Sequence, residues 1–123
     1  TWRHALRRLH ADEAGAILER CGYGPDEVER VASLIRKERL KHDAEAQDLE
    51  DVACLVFLRF SFDAFAEDQS DAKLVDILQK TWLKMSPEGR DAALALALSP
   101  EAQRIVALAL NDCFARCGGF CGL

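Results

Sequence analysis

The sequence predicts an all-α protein, a helical bundle followed by a short two-helix C-terminal extension. Three observations predict it. Apolar residues recur at helical spacing along most of the chain. No stretch of useful length alternates as a strand does. Gly, Pro and Ser fall where helices stop and start.

The first helix runs from Trp2 to about Cys21, with Ala5, Leu6, Leu9, Ala14, Ile17 and Leu18 as its apolar stripe. Cys21-Gly22-Tyr23-Gly24 ends it, and Gly22 suits a left-handed C-cap. Pro25 opens the second helix, where its missing N–H does no harm. Val28, Val31, Leu34, Ile35 and Leu40 form the stripe of that helix. His42 and Asp43 then fall in a connector, with Asp43 placed to N-cap the third helix. This third helix, about 44–66, is apolar on most faces from Val52 to Phe60 and is expected at the centre of the bundle. Phe57, Phe60, Phe62 and Phe65 concentrate aromatic bulk there. Ser70 caps a fourth helix through about Lys84, turning Leu74, Ile77, Leu78 and Trp82 inward.

A short tandem repeat follows. Ser86-Pro87-Glu88 opens one apolar run, and thirteen residues later Ser99-Pro100-Glu101 opens another. Each unit has an N-cap Ser, Pro at the first helical position and an acid in the first turn. Two short antiparallel helices are expected, as a packing device rather than a solenoid.

At 123 residues the chain is read as one domain over 1–110. The tail NDCFARCGGFCGL, 111–123, is expected to be poorly ordered and without function. Half the residues are apolar and 30% are charged, which excludes a disordered tail protein. The net charge of -5 is unevenly spread: residues 43–72 carry nine acids and one base. That acidic band argues against nucleic acid as the main partner. No window reaches the ~18 apolar residues of a membrane span. The start TWRHALRRLH lacks the apolar core of a signal peptide, so a cytoplasmic location and reduced thiols are expected.

Cys54 reads as core packing. Cys113, Cys117 and Cys121 recur every four residues, but Gly118 and Gly119 break the helix that would align them. A structural zinc site wants four ligands, so these are read as free thiols.

The candidate site centres on Asp51. Glu50 and Asp51 stand at the start of an almost wholly apolar run, QDLEDVACLVFLRFSF. A carboxylate there is costly to desolvate and needs a cation, a metal or a run of donors. The basic cluster Arg36, Lys37, Arg39 and Lys41 suits a single phosphate or carboxylate group. Lys80 and Lys84 share a helix face and suit an anion as well. The bland alternatives are solvated faces for these cations, a packing role for His10 and a core position for Trp82. No Gly-rich phosphate loop or nucleophile elbow is present.

Three segments resemble HD-class metal-dependent phosphohydrolases: LHADEAGAIL, VASLIRKERL and LEDVACLVFL. The resemblance makes Asp51 the last Asp ligand and puts Lys37 where a His often stands. The dipeptide His42-Asp43 itself lies in a turn and is read as a solvated coincidence. The blocks WRHALRRLHADEAGAILERCGY, LIRKERLKHDAEAQDLEDVACLVFL and KLVDILQKTWLKMSPEGRDAALAL resemble a wider, uncharacterised family. These are HD-like proteins of bacteria and fungi with a domain of unknown function, some labelled glutamyl-tRNA synthetase-like. The likeness covers roughly residues 2–110. A tRNA role is the weakest option, given the acidic band.

The resemblance implies an HD-like bundle lacking its N-terminal portion, and with it another His-bearing helix. It implies a domain that binds or hydrolyses a small phosphorylated or anionic metabolite, with Mn, Fe or Mg in the complete protein. His10 and Asp51 would be catalytic, Asp51 also a metal ligand, and Arg36, Lys37, Glu50, Lys80 and Lys84 would hold substrate. The missing portion would leave an apolar face open to self-association. The rival expectation is a non-catalytic helical protein-interaction module in which Lys37 and Asp51 form a structural ion pair.

Overall fold

A computed structural model describes residues 1–38 and 42–116, and every regular element among them is helical. The elements are α1 (Trp2–Arg20), α2 (Pro25–Ile35), α3 (Ala44–Val56), a π turn (Phe57–Ser61), α4 (Phe62–Ala66), α5 (Asp71–Lys84), α6 (Pro87–Leu94) and α7 (Pro100–Arg116). Two compact units make up the chain, Thr1–Leu49 and Glu50–Leu123. Arg39, Leu40, Lys41, Cys117, Gly118, Gly119 and Cys121 lie outside the described residues, as does the side chain of Cys113.

In the first unit, α1 packs on α2 through small residues. Ala11 and Gly15 are buried on α1, and Ala32 on α2. A β-carbon on Gly15 would meet Val28 Cγ1 at 3.4 Å, so the two backbones approach closely there. This corrects the expected stripe: Leu6, Leu9 and Ile17 are exposed rather than inward. Bulk made those residues conspicuous, but close helix approach selects small side chains.

The two helices end alike in geometry and differently in sequence. Gly22 closes α1 at φ 90°, donating its N–H to Glu19 O at 3.0 Å, while Tyr23 N–H reaches Leu18 O at 3.1 Å. Lys37 closes α2 at φ 57°, donating to Leu34 O at 3.0 Å, while Glu38 N–H reaches Ser33 O at 3.2 Å. Both are Schellman closures, but only the first uses the residue that enters the left-handed region without strain.

Asp43 does cap α3, accepting from the N–H groups of Glu45 at 3.1 Å and Ala46 at 3.4 Å. It is not a solvated connector residue. Arg30 grips both its oxygens, at 2.6 and 2.8 Å, and also pairs with Glu45. This bidentate contact ties α2 to the start of α3.

In the second unit, Cys54, Leu58, Phe62, Leu74, Leu78, Met85, Ala93, Ala102, Ile105 and Ala109 form a contiguous apolar core. The single helix expected over 44–66 is interrupted by the π turn, which draws Leu58 and Phe62 onto one inner line. Phe57 meets Phe62 and Phe65 edge-on, with ring centres 5.9 and 5.7 Å apart. Phe60 points out, 75% exposed, so the rod is not wrapped on all sides. Ser70 caps α5 through Lys73 N–H at 3.4 Å, and Trp82 packs half-buried against the core. The second repeat helix is not short: α7 runs for 17 residues and carries the start of the expected tail within it.

Candidate functional site

Asp51 is buried in the second unit, and its carboxylate meets a run of donors. One oxygen accepts the backbone N–H of Ser86 at 2.8 Å, and the other accepts the Ser86 hydroxyl in a short contact. The Ser86 oxygen in turn accepts Gly89 N–H at 3.0 Å, closing the N-cap of α6. The acid therefore sits over a helix N-terminus, where unpaired N–H groups and the macrodipole favour negative charge.

Gly89 is what lets it sit there. A β-carbon on residue 89 would stand 2.5 Å from Asp51 Cγ and 2.7 Å from each oxygen. No flexible end of a side chain is involved, because the obstructing group is itself pinned by Ser86.

The second repeat reproduces this arrangement more loosely. Ser99 donates its hydroxyl to Asp63 at 2.6 Å and accepts Ala102 N–H at 3.0 Å. Asp51 and Asp63 stand twelve residues apart, which in an unbroken α-helix leaves them about 120° apart in phase. The π turn takes up about one extra residue, so the effective spacing is close to three full turns. The turn thus lets one rod present both acids to two successive caps. Ala102 replaces Gly because Asp63 is exposed and its contact is with the hydroxyl alone.

The remaining candidates are distributed over both units. His10 is exposed on α1 and so does not pack as a core histidine. Arg36 is occupied: Nε meets Glu38 at 2.7 Å and Nη2 meets Glu29 at 2.5 Å. Those carboxylates, Glu38 first, push its pKa above the ordinary arginine value. Lys37 is half-buried in its left-handed turn. Lys80 pairs with Asp76 at 2.7 Å one turn away on its own helix, so it is not poised as one of two free cations. Glu50 is buried, and Lys37, Glu50 and Lys84 all have partners.

Among the described residues, no three His, Cys, Asp or Glu side chains gather as metal ligands. Both Asp51 oxygens are engaged and a backbone closes over them, so this donor set does not fit a divalent metal. The cavity enclosed by α5, α6 and α7 is apolar, lined by Leu78, Trp82, Leu98, Val106 and Ala109 among others. Its volume of about 20 Å³ admits about one water, and no candidate residue faces it.

Sequence reasoning found Asp51 but missed Ser86 as its partner and Gly89 as its enabling residue. The signal was present: the two SPE repeats differ at the third helical position, Gly89 against Ala102. It also missed Arg30, whose guanidinium holds the Asp43 carboxyl at a pKa of about 2, below its ordinary 3.8. The model of a family described as a domain of unknown function (DUF4202) matches residues 1–106. The chain belongs to this family. The DUF4202 match takes in α1 through α6 and the first turns of α7, and so both capped repeats. No curated protein and no solved structure matches the chain.

Proposed function

We propose that this DUF4202 chain is a non-catalytic helical protein-interaction module in which Asp51 is a structural acid. One observation carries the reading: the carboxylate best placed for chemistry is held by both donors of Ser86 with Gly89 closed against it. A general base or metal ligand needs an oxygen that substrate, water or metal can reach. Here helix capping takes that role's place, and the structural reading needs no Lys37–Asp51 ion pair.

The rival reading is an HD-like domain that binds or hydrolyses a small phosphorylated metabolite. It would have to draw Asp51 out of the α6 cap and free Arg36 from Glu29 and Glu38. The separating experiment uses Asp51→Asn, with melting temperature, Mn²⁺ binding and phosphomonoester hydrolysis measured side by side. The module reading expects a lower melting temperature and no metal binding or hydrolysis that depends on Asp51. Unchanged melting with loss of Mn²⁺-dependent hydrolysis would establish the catalytic reading instead.

A further inference from the structure

Each unit carries one apolar helix face that stands exposed. On α1, Trp2, Leu6 and Leu9 follow i, i+4, i+7 spacing and are 71%, 37% and 53% exposed. This face opposes the Ala11–Gly15 side that packs on α2. On the rod of the second unit, Val52, Val56 and Phe60 are 53%, 47% and 75% exposed, opposite the Cys54–Leu58–Phe62 core line. Single exposed apolar residues are ordinary, but a row of three at helical spacing is the pattern by which one helix recognises another.

The charges around the two faces have opposite sign. The first eleven residues carry Arg3, Arg7 and Arg8 and no acid. Beyond Phe60 the rod carries Asp63, Glu67 and Asp68, all exposed. Its one base, Arg59, stacks on Phe60 at 5.3 Å rather than opposing the acids beyond it. An apolar stripe with a basic margin fits an apolar stripe with an acidic margin, and each suits its own kind poorly.

We infer that α1 of one copy of this chain docks on the Val52–Val56–Phe60 face of a second copy. This names the partner that the interaction-module reading leaves open, and it rests on that reading. Trp2 and Phe60 supply the aromatic anchors, which dominate contacts of this kind. Arg3 and Arg8 face Glu67 and Asp68, setting the direction of approach.

Sedimentation equilibrium of the intact chain across the micromolar to near-millimolar range tests this. The mass is expected to rise from monomer to at least dimer. Phe60→Asp is expected to remain monomeric. The Arg3→Glu/Arg8→Glu variant and the Glu67→Lys/Asp68→Lys variant are each expected to be monomeric alone. Mixed one to one, they should associate again, because the reversed charges match. All four charge positions are exposed, so these variants decide the matter if Phe60→Asp fails to fold. A wild-type chain that stays monomeric throughout overturns the inference. So does association that persists unchanged in both charge-reversed variants. Either result leaves the structural assignment of Asp51 standing, because that depends on the melting and hydrolysis of Asp51→Asn.

Discussion

The Asp51 carboxylate and the Gly89 α-carbon share one space, such that a methyl group on residue 89 would fall 2.5 Å from Asp51 Cγ. Burial of the acid and absence of the side chain are therefore one constraint, written at two positions 38 residues apart (89 − 51).

Gly89→Ala is accordingly predicted to destabilise the chain by about 2–3 kcal/mol, the cost of overpacking a site that cannot yield. In an Asp51→Ala background the same substitution should reverse sign and stabilise by about 0.5–1 kcal/mol, as alanine does in a helix. Urea unfolding of the four proteins measures both. Ala102, at the same position of the second repeat, gives the contrast: its methyl is buried without conflict because Asp63 stands back.

The strained closure of α2 yields a second prediction. Lys37 holds φ 57° without a glycine's freedom, and a left-handed residue with a β-carbon costs about 1–2 kcal/mol. Lys37→Gly should stabilise by about 0.5–1 kcal/mol after the entropy of the unfolded glycine is counted, and Lys37→Val should destabilise. Thermal melts of both variants check this. If Lys37→Gly lowers stability, the contacts of the lysine outweigh its backbone strain.

Acid should loosen the first unit through Asp43. Its folded pKa of about 2 lies below the ordinary 3.8, so its contribution is present above 3.8 and lost as pH falls toward 2. Asp71 and Glu101, lowered by Arg104, add to the same slope in the second unit. Helicity followed by circular dichroism should hold from pH 7 to about 4.5 and decline below. Asp43→Asn should be less stable at neutral pH and lose part of that decline.

The π turn predicts an asymmetry between deletion and insertion. Removing exposed Ser61 should leave a continuous α-helix with Asp51 and Asp63 eleven residues apart, about three turns, still facing their caps. Inserting one Ala there should rotate Asp63 away by about 100°. Deletion should preserve melting within a few degrees, whereas insertion should lower it sharply and abolish the effect of Ser99→Ala.

Much of this arrangement was legible in the residues. Gly22, Pro25, Ser70, Ser86 and Ser99 marked helix ends because capping chemistry is local. The π turn was not legible, since VACLVFLRFSF is equally apolar in α and π registers. The buried side of α1 was missed because periodicity weighs bulk, while Ala11 and Gly15 pack by being small. Asp51 stood out as an acid needing donors, but Ser86 lies 35 residues on, and only the fold supplies that pairing.

The most direct test of the central claim is a double-mutant cycle on Asp51→Asn and Ser86→Ala, read by calorimetry or urea unfolding. If Asp51 works by holding the α6 cap, the two changes should couple by about 1–3 kcal/mol, each costing little once the other is made. Costs that add within about 0.5 kcal/mol would show that Asp51 acts independently of Ser86, and would contradict the account.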